Sequence, residues 1–143
     1  MPGLTKEQIQ TFFDKRHSKN TSPLRIEKTY EKGARLRLVV EPHHLRHGDT
    51  VSGPALMTLV DAAVFVAILV EIGPVFQAVT TNLNINFLKK AEAADVIAEC
   101  RLLKVGRRLV FAEVDLFSED NDELVAHATC TYSIPSQTIK NTK

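Results

Sequence analysis

The chain has 143 residues, enough for one domain with a sizeable core, and no low-complexity block breaks it. Its 18 Lys and Arg against 17 Asp and Glu leave a formal net charge of +1, with no Trp, two Tyr and no basic stripe interleaved with aromatics. Such a balance implies no strong electrostatic partner, and no nucleic-acid partner is expected. Cys100 and Cys130 lie in separate apolar-alternating stretches, outside any CxxC or zinc-type spacing to His, and are expected as free buried thiols. The opening MPGLTKEQIQTFFDKR mixes acids and bases, unlike the basic and then apolar regions of a secretory signal, so a cytoplasmic location is expected.

In chain order, Thr5 followed three residues on by Gln8 reads as a capping box opening a helix from Lys6 to about Arg16, with Ile9, Phe12 and Phe13 on one face. After the Ser18 to Pro23 turn, Leu24 to Tyr30 and Ala34 to Val40 flank Glu31-Lys32-Gly33, a hairpin signal. Residues 42–50, PHHLRHGDT, show no period and read as a polar loop. Gly53 then Pro54 reads as an N-cap and first helical residue, and Gly73-Pro74 as the stop of a long helix between them. Four alternating stretches follow as strands: Val79 to Leu88, Asp95 to Lys104, Arg107 to Phe117 and Leu124 to Ile134, with turns at Gly106 and Asn121. In the first, alternation sets Thr81, Leu83, Ile85 and Phe87 on one face and Thr80, Asn82, Asn84 and Asn86 on the other. In the last, His127 opposes Ala126 and Cys130 and reads as structural or solvated. The organisation expected is an N-terminal helical segment over 1–20, a domain over 21–135 and a frayed polar tail over 136–143.

The stretch Ala55 to Ile72, ALMTLVDAAVFVAILVEI, is the most apolar in the chain, with Asp61 near its middle. It falls short of the ~20 residues of a membrane span and lacks a flanking basic cluster, so no membrane partner is expected. An ionised carboxylate loses several kcal/mol on entering an apolar site. Two readings stand: Asp61 is neutralised by a partner within a buried helix, or it is a functional carboxylate. A helix apolar all round is a buried helix, and the strands must wrap it. The fold class is therefore α+β: one antiparallel curved sheet around a long central helix, plus an N-terminal helix.

Four segments carry a resemblance on top of this pattern. GDTVSGPALMTLVDAAVF, AVTTNLNINFLKKA, GRRLVFAEVDLF and ELVAHATCTYSIP resemble the landmark segments of PaaI-type hotdog acyl-CoA thioesterases, over about Gly48 to Pro135. The resemblance implies a single hotdog domain that hydrolyses small or medium acyl-CoA thioesters, with coenzyme A entering as part of the substrate and no separate cofactor. Asp61 matches the family's catalytic carboxylate, as general base or nucleophile, and Gly53 the glycine whose N–H polarises the thioester carbonyl. Where relatives carry His-Gly-Gly, this chain reads Ser52, Gly53 and Pro54, and Pro54 has no N–H to give.

Secondary candidates are Ser52, a cap or a holder of water, and Thr80, at the position that in relatives bears a hydroxyl near the carboxylate. Arg46 stands where relatives carry an Asn, beside His47. Met57, Val64 and Phe65 are expected to shape the acyl pocket, and Lys89, Lys90, Arg107 and Arg108 to meet the phosphates of coenzyme A. His43, His44 and His47 lack a carboxylate or Cys at ligand spacing, and no metal is expected. The exposed edge strand nearest the chain start argues for a homo-oligomer, and the resemblance implies a homodimer or homotetramer with the active site at the dimer interface. The alternatives are a hotdog hydratase or dehydratase, which needs a second acid/base residue such as His47, and a noncatalytic acyl-CoA binder.

Overall fold

The computed structural model describes residues 3–119 and 122–136; the expected turn at Asn121 and all but the first residue of the tail lie outside them. Helix α1 (Lys6–Lys15) opens as its capping box dictates: the Thr5 hydroxyl accepts from the Gln8 N–H at 3.1 Å and Gln8 Oε1 from the Thr5 N–H at 2.9 Å. Strands β1 (Leu24–Tyr30) and β2 (Gly33–Leu38) form the expected hairpin. Residues 42–50 are more ordered than their lack of period suggests. A 3-10 turn (Pro42–His44) leads into β3 (Leu45–Arg46), which pairs with β4 (Thr50–Val51). Two-residue strands are too short for a period to register.

Helix α2 (Gly53–Glu71) is the long apolar segment, and Ser52 rather than Gly53 is its N-cap, accepting from the Ala55 N–H at 3.2 Å. The hydroxyl decides this boundary: it satisfies a first-turn donor, which Gly cannot do. Gly53 and Pro54 become the first two helical residues. At the far end Ile72 caps, and Gly73 at φ +123° ends the helix as expected.

Strands β5 (Val79–Phe87), β6 (Val96–Val105), β7 (Leu109–Ser118) and β8 (Leu124–Ser133) complete a six-stranded antiparallel sheet in the order β1-β2-β6-β7-β8-β5. The sheet wraps α2, which packs most heavily on β2 and β6, and this is the hotdog fold. Leu56, Leu59, Val60, Ala63, Val64 and Val66 to Leu69 are buried against it. Although α2 is long and apolar enough to cross a membrane, it is the core helix of this sheet.

The helix is nevertheless not buried all round. Pro54, Met57 and Thr58 are exposed and Asp61, Ala62 and Phe65 half-buried, a series stepping by three and four residues along one face. Edge strand β5 is similarly bare, with Val79, Phe87 and the following Leu88 each more than half exposed. The other edge, near the chain start, is occupied, contrary to expectation: Gln10 of α1 donates to the Leu24 carbonyl at 3.0 Å and accepts from the Ile26 N–H at 2.7 Å. A side-chain amide carries one donor and one acceptor group, so it satisfies β1 as a neighbouring strand would.

The outer face of the sheet is ionic. Arg35 pairs with Glu27 and Glu99, Arg37 with Glu27, Asp95 and Glu119, and Arg101 with Glu113 and Asp115. His127 lies 3.8 Å from Glu113 on this face, consistent with a structural role.

Candidate active site

The helical stripe left bare by the sheet carries Asp61, and two hydroxyls converge on it. Tyr132 of β8 donates to Asp61 Oδ1 at 2.8 Å, and Thr80 of β5 donates to the same oxygen. Asp61 Oδ2 accepts from no side chain among the described residues, so the carboxylate is fixed through one oxygen and open at the other. Burial, and then the adjacent Asp61 charge, push ionisation of the Tyr132 hydroxyl far above its usual range, which keeps it a donor.

Thr80 reaches Asp61 because β5 is irregular. Thr80 pairs with Tyr132 and Asn82 with Thr131, so the register slips between them and Thr81 is the extra residue. The Thr81 hydroxyl donates to the Thr131 carbonyl at 3.2 Å. A bulge turns the preceding side chain over, so Thr80 shares the inner face with Leu83, Ile85 and Phe87. Simple alternation puts it on the outer face, and the bulge corrects that assignment. Tyr132 itself is the residue sequence reasoning did not single out: it is 3% exposed and reads from alternation as core. A phenol buried on an otherwise apolar strand face is a usable signal, since its O–H needs a partner.

Asp61, Phe65, Phe76, Ala78, Val79, Thr80 and Tyr132 line an open cleft of about 330 Å³. Met57 stands on the same helical stripe at 42% exposure, whereas Val64 is fully buried and faces the core, not a pocket. Cys130 lies near Asp61, but burial pushes its thiol up to about 12, as it does that of Cys100. Both cysteines are free and neither is a nucleophile at neutral pH.

A second cleft, of about 480 Å³, opens at the N-terminus of α2 and is lined by Arg46, Thr50, Val51, Gly53, Leu56, Phe87, Leu88, Lys89, Lys90 and Ala91. Gly53 N–H is one of the first-turn donors that a helix leaves without an intrahelical acceptor, at the positive end of its dipole. The Phe87 ring lies beside it, 3.5 Å from where a Cβ would stand. Three predicted cations thus gather round the predicted oxyanion donor, and Lys89 also pairs with Glu123. Ser52, as the cap, spends its acceptor on Ala55, and Pro54 is exposed. Arg107 and Arg108 are elsewhere, lining a cavity with Ile72, Val75 and Ile134 at the opposite end of α2. His47 lines a loop cavity with Pro42 and Asp49, not the Asp61 cleft.

The structure does bring a carboxylate to the histidines: donor atoms of Glu41, His43 and His44 lie within 4.8 Å of one another. His44 Nδ1 accepts the Glu41 N–H at 2.9 Å, however, so a neutral His44 carries its proton on Nε2 and its one lone pair is already used. The set does not fit a metal without breaking that bond.

Asp61 and Gly53 are eight residues apart on one helix, about 12 Å along its axis. One thioester group cannot touch both within a single chain.

A hotdog sheet with a hydroxyl-anchored carboxylate midway along its central helix defines a class of acyl-thioester-handling proteins. The family model of the thioesterase superfamily matches residues 48–125, more than half of the sequence, and the chain belongs to that superfamily. Solved structures agree. One from Silicibacter sp. TM1040, described as a candidate thioesterase, is 34% identical, with 93% of each chain covered and a TM-score of 0.82. Zebrafish thioesterase superfamily member 2 is 26% identical, covering 92% of this chain and 99% of its own, with a TM-score of 0.80. A mutant of the phenylacetic acid degradation protein PaaI from Thermus thermophilus is 26% identical over 78% of this chain and 93% of its own, with a TM-score of 0.69.

Proposed function

We propose that this protein hydrolyses small or medium acyl-CoA thioesters to the free acid and coenzyme A, in a homodimer whose two sites each join Asp61 of one subunit to Gly53 of the partner subunit. The observation that carries the reading is Asp61 itself: a carboxylate held through Oδ1 by Tyr132 and Thr80, with no side-chain donor to Oδ2 among the described residues, in a cleft on an uncovered helix face.

Oδ2 either takes a proton from the attacking water or attacks the thioester carbonyl itself to give a mixed anhydride, which water then hydrolyses to the free acid, restoring the Asp61 carboxylate. In both routes the carbonyl oxygen gains charge, and the Gly53 N–H of the partner subunit, at a helix N-terminus, receives it. A donor of this kind contributes about 2.7–4 kcal/mol in measured enzymes. The thiolate leaves without a strong general acid, because a thiol pKa is only about 8.5. Arg46, Lys89 and Lys90 surround the same helix end, where they suit the phosphates of coenzyme A.

What is left uncovered supports the dimer. The Pro54 to Phe65 stripe and β5 adjoin, and an isologous contact across both covers an apolar face and a free strand edge together. The 12 Å separation of Asp61 and Gly53 along α2 then becomes a requirement for two chains.

The test is thiol release from a panel of aliphatic and aromatic acyl-CoA esters by the wild type beside Asp61→Asn. Hydrolysis by the wild type and a loss of about 10²-fold or more in a folded variant is the expected outcome. A folded Asp61→Asn protein with full activity overturns the role of Asp61, and a wild type that binds the esters without releasing thiol makes the protein a binder.

A further inference from the structure

The cleft beside Asp61 is backed by a ring from outside the helix and sheet that build it. Phe65 and Phe76 line the cleft beside Asp61. Behind them stands Phe12 of α1, stacked on Phe76 with centroids 4.6 Å apart at 27° and lying 6.4 Å from Phe65, whose ring in turn stacks on Tyr132 at 6.3 Å. The Arg16 guanidinium covers the Phe12 ring at 3.7 Å.

Helix α1 is fixed there at three points. Ile9 is fully buried in the core, Gln10 is bonded to the edge of β1, and the Leu4 N–H donates to the Leu69 carbonyl of α2 at 3.0 Å. Gly3 lies so close to α2 that a Cβ would overlap the Val70 carbonyl oxygen. An aromatic ring on a helix anchored in this way is a fixed surface, not a fraying terminus.

We propose that α1 is the far wall of the acyl pocket and that Phe12 sets the largest acyl group the site accepts. The inference rests on the acyl-thioester reading above and adds the specificity element to it. Within one subunit, Phe65 and Phe76 close the cleft on its α1 side, and Phe12 backs both rings. Rings on that side favour a short chain or a single aromatic ring. A longer chain would run into Phe76 and the Phe12 ring that backs it. Removing Phe12 frees Phe76 to turn away and opens the cleft toward α1. Phe12 backs the lining rings Phe65 and Phe76 directly, whereas Arg16 meets the Phe12 ring, so truncating Arg16 leaves the backing ring in place and the length limit unchanged.

The experiment measures affinity for a series of non-hydrolysable thioether analogues of acyl-CoA, of increasing chain length and with one aryl member, by calorimetry. It is independent of turnover, so failure of hydrolysis and failure of the wall are separate results. The wild type is expected to gain affinity with length up to a limit and lose it beyond. In Phe12→Ala that limit moves to longer chains, with affinity for the first rejected member rising about tenfold, the lower range for a methylene-sized change in an apolar pocket. Arg16→Ala keeps the wild-type profile. If Phe12→Ala does not fold, Phe12→Leu, smaller but still apolar, is expected to move the limit in the same direction. A folded Phe12→Ala or Phe12→Leu protein with an unchanged length profile overturns the proposal, as does a wild type whose affinity shows no upper limit.

Discussion

Asp61 has an asymmetry that bears directly on catalysis: both hydroxyls press on Oδ1. A hydrogen bond to a charged group is worth about 1.5–3 kcal/mol, and about 1.4 kcal/mol is a factor of ten. Tyr132→Phe keeps the ring that stacks on Phe65 and deletes only the donor, so kcat is expected to fall about tenfold with KM nearly unchanged, beside a loss of stability of up to about 3 kcal/mol. A fall in melting temperature with kcat unchanged would make the Tyr132 hydroxyl a structural group only. Asp61 was legible in the sequence because charge in the middle of an apolar run is rare. Tyr132 was not, since alternation marks a residue as inward without naming the group its polar atom meets. Gly53 was legible as a helix beginning, but the cap was one residue earlier, where Ser52 offers the acceptor that Gly lacks.

Among the elements, the strands were legible from alternation, yet β5 shows where that signal fails. The period of two is blind to a single inserted residue, and the bulge at Thr81 is what turns Thr80 toward Asp61. Strand β2 differs, because its alternation sets Arg35 and Arg37 opposite the buried Leu36 and Leu38 without naming the groups they meet. Pairing of β2 with β6 brings Glu99 and Asp95 to them, and β1 supplies Glu27. Burial acts to raise the Glu27 pKa, but hydrogen bonds from Arg37 and Arg35 outweigh it and hold the carboxyl below its ordinary range. A folded pKa below the unfolded one gives stability that is full above the unfolded value, about 4.3, and is lost as pH falls through the folded one. Glu27→Gln is therefore expected to cost about 1 kcal/mol or less at neutral pH, and this difference should shrink as the pH is lowered below about 4 in urea unfolding. A difference that persists undiminished into acid would show that the charge of Glu27 is not what stabilises β1 against β2.

For the whole molecule, the sequence indicated a helix that had to be wrapped but not that the wrapping would be incomplete, because an apolar stripe awaiting a partner has the same composition as one already covered. The bare stripe from Pro54 to Phe65 and the bare edge of β5 place Asp61 and Gly53 on one surface of each chain, and their separation along α2 leads to a test that needs no knowledge of the substrate's acyl group. Gly53→Pro deletes the N–H at the first helical position, where Pro is tolerated, while Asp61→Asn deletes the carboxylate. Each homodimer is expected to be inactive. Mixed dimers formed by unfolding and refolding the two variants together carry one site with both lesions and one with neither. Random pairing then restores about a quarter of wild-type activity, since half the dimers are mixed and each has one intact site of two. If Asp61 and Gly53 acted within the same chain, every site in every mixture would keep one lesion, and refolding the variants together would restore nothing.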